Sequence, residues 1–184
     1  MRRALPRSLA CAPTLQRIAA GGSCAALVTC LLASCGYRLA QGGALPSGAR
    51  AVRVAPVDNR TAYADAGGLF AAALRDELSA RGKLSPEGAH VAVLEAALLA
   101  VRSLPSAFGA ATAVAYRLEA DMRIRLADAG GAVVYEDVQS GGEDYLAGID
   151  VIGTEANRRA ALHRLAVALA REAIDKMEVA ERLR

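Results

Sequence analysis

Residues 114–126, VAYRLEADMRIRL, alternate without a slip: Val114, Tyr116, Leu118, Ala120, Met122, Ile124 and Leu126 fall on one side, and Arg117, Glu119, Asp121, Arg123 and Arg125 on the other. A period of two held over this length belongs to an extended strand, whose successive side chains point to opposite faces. One face of that strand must be dry and the other wet, so the chain has to supply a layer that covers the dry side. Asp128, Gly130 and Gly131 follow as a turn, and residues 132–140, AVVYEDVQS, read as the returning strand of a hairpin.

The covering layer is legible in two places. In residues 65–83, DAGGLFAAALRDELSARGK, Phe70, Leu74 and Leu78 recur every four positions while Arg75, Asp76, Glu77 and Arg81 take the other face, as in an amphipathic helix. Asp65 is the expected N-cap, and Gly82 stands where a helix commonly ends in a left-handed residue. Residues 154–183 form a second, longer helix with a stripe of Leu162, Leu165, Ala166, Leu169, Ala173 and Met177.

Two further segments read as strands. Residues 51–57, AVRVAPV, alternate, and because Pro56 has no ladder donor the strand is expected either to lie at an edge or to end there. Residues 90–102, HVAVLEAALLAVR, are apolar at both parities, and their valine content favours an interior strand. Residues 103–113, with Pro105 and Gly109, are expected as a loop or hairpin connection, and residues 141–153 as loop. The expected fold is α+β, a roughly four-stranded sheet packed with two helices in the order β-α-β-β-β-α.

The N-terminus carries a different message. Residues 1–17 contain Arg2, Arg3, Arg7 and Arg17 and no acid, residues 18–32 contain no charge, and Leu32, Ala33 and Ser34 precede Cys35. This is the layout of an export signal, and Leu-Ala-Ser-Cys resembles a bacterial lipobox, which implies cleavage before Cys35 and a diacylglycerol thioether and an N-acyl chain on it. A buried structural cysteine behind an uncleaved N-terminus is the competing reading. Three parts are expected: a signal at 1–34, a lipidated flexible tether at 35–50, and one domain at 51–184.

Removal of residues 1–34 would take four arginines and no acid, so the 184-residue chain with 22 basic and 19 acidic residues becomes 150 residues with 18 basic, and the net charge passes from +3 to −1. The basic character of the full sequence thus gives no support to nucleic-acid binding. Cys11, Cys24 and Cys30 leave with the signal, which excludes a disulfide framework or cysteine-based metal site in the remainder.

In order, CGYRL, VRVAPVDNRT, ELSARGK, a long hairpin and EANRRAALHRLAVALAREAIDKM resemble the LptE family of lipopolysaccharide-assembly lipoproteins. The resemblance implies an outer-membrane lipoprotein, held by its lipid on the periplasmic side. It would plug and help assemble the large β-barrel LptD and take part in delivering lipopolysaccharide (LPS) to the outer leaflet. It implies no catalysis and no cofactor beyond the acyl chains on Cys35. Lipid A and core phosphates would ask for guanidinium groups near an apolar edge. Arg102, Arg117, Arg123 and Arg125 are the candidates, against the plainer reading of a solvated face balanced by Glu119 and Asp121. Residues 103–113 carry no basic residue, against a phosphate-clasping role for that loop.

Other functions have weaker sequence support. His90 and His163 stand in no arrangement of nucleophile, base and orienter, and the adjacent Glu143 and Asp144 read as a solvated turn. The Asn59-Arg60-Thr61 sequon reads as a chance match beside a lipobox. An outer-membrane lipoprotein adaptor, such as a peptidoglycan-synthase activator or a TolB-like or CsgG-like module, shares the lipobox, tether, strand and helix. Those modules tend to alternate strand and helix, whereas here the hairpin is central and the longest helix is last.

Overall fold

The structure, a computed structural model, describes residues 43–86, 91–110 and 112–183. Its strands are β1 (Val52–Val54), β2 (Asp58–Asn59), β3 (Ala92–Phe108), β4 (Ala113–Ala127) and β5 (Val133–Leu146), and its helices are α1 (Ala66–Ala80) and α2 (Val151–Arg182). The sheet runs β1-β3-β4-β5, with β2 continuing β1 along the same edge of β3. β1 and β2 lie parallel to β3, and the other neighbours are antiparallel. This is the expected α+β architecture, with the first strand divided in two.

The division falls at Pro56. Ala55 N–H still donates to Leu94 O at 2.9 Å, and Arg60 N–H to Leu98 O at 3.1 Å, but Pro56 between them cannot join the ladder. Along β4, Leu118, Ala120, Met122, Ile124 and Leu126 are fully buried, as the alternation requires. They meet Phe70, Leu74 and Leu78 of α1 and Leu162, Leu165, Leu169 and Met177 of α2 in one core. Each such large side chain contributes about 1.5–3 kcal/mol by leaving water. Both helices cover the same face, and the other face of the sheet stays open.

β3 is interior, as its composition suggested, and its two-sided apolarity has a specific cause. Leu98 pairs with Met122 and Ala100 with Asp121, so Leu99 is an extra residue, a β-bulge. Before it Leu94, Ala96 and Leu98 face the core; after it the parity is reversed and Val101 opposes the buried Ala120.

Two expected loops are strand instead. Residues 103–108 extend β3 and pair with β4 through Phe108↔Ala113, and residues 141–146 extend β5 through Ala115↔Leu146. Propensity is weak in Ser-Leu-Pro-Ser and in Gly-Gly, and the partner strand imposes the extended form. α2 accordingly begins at Val151, where Asp150 accepts from Gly153 N–H at 2.7 Å, earlier than the expected 154. Asp65 precedes α1 but makes no side-chain cap, whereas Gly82 does take the left-handed conformation, at φ 65°.

The expected tether also changes extent. Cys35 and residues 1–42 lie outside the described residues, but residues 43–50 lie on the domain, with Leu45 fully buried and a short 3₁₀ turn at Pro46–Gly48. The domain therefore starts at least eight residues before the expected 51. Among the described residues no helix is long and apolar enough to cross a membrane.

Candidate functional site

The open face of the sheet holds all four arginines predicted as site residues, and register decides what each one meets. Opposite strands place Glu95, Arg125 and Glu136 in one row, with Arg125 at 3.7 Å from Glu95 and 3.6 Å from Glu136. The next row is Ala97, Arg123 and Val138. Arg123 faces two apolar neighbours there and has neither an ion pair nor a side-chain hydrogen bond among the described residues. Beyond it, Asp121 receives Arg102 Nη2 at 2.8 Å and Ser140 Oγ at 2.6 Å. Arg117 lies between Glu119 at 3.8 Å and Asp144 at 3.3 Å, across Gly142, where a Cβ would stand 2.9 Å from its guanidinium. Gly142 is needed for that close approach.

A cleft of about 310 Å³ opens where this face meets the β1–β2 edge, lined by Pro56, Asp58, Arg60, Glu95, Arg123 and Arg125 among others. Arg123 and Arg125 are thus brought together, and Arg102 and Arg117 are not. Arg60, held by Asp58 at 2.8 Å, joins them from across the edge. Its role is invisible in sequence because it depends on β2 pairing with β3. An anion entering the cleft would find one unpartnered guanidinium, while Arg60 and Arg125 would have to exchange carboxylates for it.

The remaining sequence candidates separate. Glu143 and Asp144 are adjacent on a strand and so point to opposite faces, Glu143 to Arg164 at 3.4 Å and Asp144 to Arg117. They do not converge as an acid pair. His163 is exposed on α2, and His90 is outside the described residues. Among the described residues no cluster of three or more His, Cys, Asp or Glu could hold a metal.

Sequence reading missed a second polar cluster at the end of the domain where the chain enters. Arg81 reaches Glu77 at 2.6 Å, Asp175 at 2.8 Å and Glu178 at 3.3 Å, and Lys83 lies 3.6 Å from Glu178 while donating to the carbonyl of Gly43. Burial pulls the Arg81 guanidinium down, but its hydrogen bonds to Glu77, Asp175 and Glu178 outweigh this and hold it above the usual arginine range. The cluster fastens Gly43 to the end of α1 and to α2.

Sequence comparison with curated proteins gives no match. Among solved structures, rare lipoprotein B from Shewanella oneidensis is similar at 14% identity and TM-score 0.51, over 70% of this chain and 96% of that one. A protein from Xanthomonas campestris is similar at 10% identity and TM-score 0.51, over 76% and 92%. At these identities the likeness is one of fold. The model of the LptE family, described as lipopolysaccharide-assembly, matches residues 49–177, from the last turn before β1 to Met177 in α2. The chain belongs to the LptE lipopolysaccharide-assembly family.

Proposed function

We propose that this protein is an outer-membrane lipoprotein, anchored through acyl chains on Cys35, that plugs and helps assemble the LptD barrel and takes part in moving LPS to the outer leaflet. The observation that carries the reading is the family match over the whole sheet and most of α2. The open face is consistent with it. That face is a grid of paired charges rather than an apolar surface, and such a face can stand against the polar interior of a large barrel. Two or more acyl chains give stable membrane anchoring where one gives only marginal binding.

Within this reading Arg123, with Arg125 and Arg60 beside it, is the best placed of the candidate LPS-phosphate contacts; Arg102 and Arg117 serve the ion-pair grid. The role is one of binding and scaffolding, and no residue is assigned to catalysis. The test is affinity capture of the tagged full chain from detergent-solubilised outer membrane. Near-stoichiometric recovery of the LptD barrel is expected. Recovery of a peptidoglycan synthase instead, or of no barrel, would overturn the plug assignment. Cys35→Ala is expected to leave unprocessed precursor in the inner membrane, and normal processing of that variant would end the lipobox argument.

A further inference from the structure

The end of the domain opposite Gly43 is apolar at its centre and charged at its border. Residues 103–116 contain no ionisable acid or base other than Tyr116, and residues 145–154 contain one carboxylate, Asp150, which is spent on the first turn of α2. Register brings these segments together at one tip: Ala115 opposes Leu146, and Ala147 N–H donates to Val114 O at 3.0 Å. The side chains exposed there are large and apolar, with Phe108 at 73%, Val151 at 84% and Ile152 at 80% exposure, joined by Ile149, Leu146 and Val114. Around them stand Arg117 and Asp144 on the sheet and Glu155, Arg158 and Arg159 on the first turns of α2. These border charges are matched within the chain: Arg117 lies 3.3 Å from Asp144, and Glu155 lies 2.6 Å from Arg158 and 3.3 Å from Arg159.

We propose that this tip is the seat of the plug, a protein-docking surface that fits an apolar recess ringed by polar groups in the barrel partner. The proposal rests on the plug reading above and adds which part of the domain makes the apolar contact. Isolated exposed apolar residues are ordinary, whereas six gathered at one end mark an interaction surface. An apolar centre inside a polar rim is the anatomy of a protein interface, and an aromatic side chain such as Phe108 is enriched at its core. A phosphate-bearing lipid fits less well, because the centre holds no base and the guanidiniums of Arg117 and Arg158 already face carboxylates. The surface is also pre-formed. Gly109 N–H donates to Thr112 O at 2.8 Å, Gly148 N–H to Thr154 Oγ1 at 2.9 Å, and Asn157 Nδ2 to Leu146 O at 3.0 Å. Loops held by their own hydrogen bonds have little ordering left to do on docking.

Length sets the direction in which the tip points. The residues from Cys35 to Gly43 span at most ~28 Å, so under the anchoring proposed above the base stays close to the periplasmic leaflet. β4 alone, with 15 residues, carries the tip roughly 45 Å from that base at about 3.3 Å per residue, beyond the reach of the segment between Cys35 and Gly43. A tip turned into the lumen meets the barrel. One turned towards the periplasm would leave six large apolar side chains in water.

The test uses the tagged full chain. Ile149→Asp combined with Ile152→Asp is expected to lower recovery of the LptD barrel from detergent-solubilised outer membrane about tenfold, while Ile149→Leu combined with Ile152→Leu leaves it unchanged. Undiminished recovery by the double aspartate variant would overturn the proposal. A second measurement needs no charged variant: p-benzoylphenylalanine in place of Phe108, irradiated in the outer membrane, is expected to crosslink to an apolar segment of the barrel. Crosslinking from position 108 to a second copy, to LPS, to phospholipid or to nothing would overturn it as well. The unaltered chain separates the two readings. If it recovers no barrel, the plug reading falls and the tip proposal with it; if it recovers the barrel but position 108 makes no contact there, only the tip proposal falls.

Discussion

The two ends of the domain are built in opposite ways. At the base, Arg81, Lys83, Glu77, Asp175 and Glu178 are drawn from two helices and the loop after α1 into one network that also holds Gly43. At the tip, β3, β4 and β5 continue with scarcely a charge, and α2 starts with ten residues none of which is buried. The difference teaches where stability and surface properties are separable. Charge at the base is interlocked and cannot be removed singly, while apolar side chains at the tip touch little and contribute little to folding.

The largest expected break in this contrast is Glu178→Ala. It leaves Lys83 buried with only the Gly43 carbonyl and removes one carboxylate from Arg81, which is expected to cost about 3 kcal/mol; urea unfolding checks it, and a loss under 1 kcal/mol would show that the network is ornamental. The next test concerns Gln139, 1% exposed on β5 beneath α2 with neither amide atom hydrogen-bonded. Gln139→Met is expected to stabilise by about 1 kcal/mol, because an unpaired buried amide is costly and a similar apolar shape is not. A lower denaturation midpoint would mean that the amide has a partner such as bound water.

Ile149→Asp at the tip is expected to change unfolding free energy by no more than about 0.5 kcal/mol, in contrast to Glu178→Ala. A larger loss, read in the same unfolding experiment, would mean that the tip is part of the core after all. The smallest effect is a pH dependence at Tyr135 on β5. Burial, and then the Asp137 carboxylate, raise the Tyr135 phenol above its ordinary range. Since the folded state favours the protonated phenol, its contribution is complete below the ordinary tyrosine pKa and is lost as pH rises through the raised one. Absorbance titration of the full chain against Tyr135→Phe would show that late-titrating phenol vanish, and an unchanged curve would reassign it.

How much of this was legible depended on whether the information was local. The alternation of β4 and the stripes on α1 and α2 were readable because each element carries its own period, and nearly every residue they marked is buried. The ends of β3 and β5 were not, since Pro105 and the Gly141–Gly142 pair argue locally for a loop and only pairing with β4 overrules them. The base network joins residues as far apart as Arg81 and Asp175, and the cleft joins Arg60 to Arg123, so no local pattern announces either. Of the four predicted arginines, sequence placed Arg117, Arg123 and Arg125 on the wet face of β4 and Arg102 only beside the expected loop, and the partner opposite each one, which distinguishes Arg123 from the rest, is a property of register.

The bulge at Leu99 bears on how this fold can vary in length. Deleting a residue between 93 and 98 would carry part of the core side of β3 to the charged face. Deleting Leu99 would not, because Leu98 and Ala100 already oppose consecutive residues, Met122 and Asp121. What would change is the local bend and twist that a bulge adds. A one-residue deletion at that single position would therefore re-aim the far end of the hairpin while leaving every core contact on its own side of the sheet.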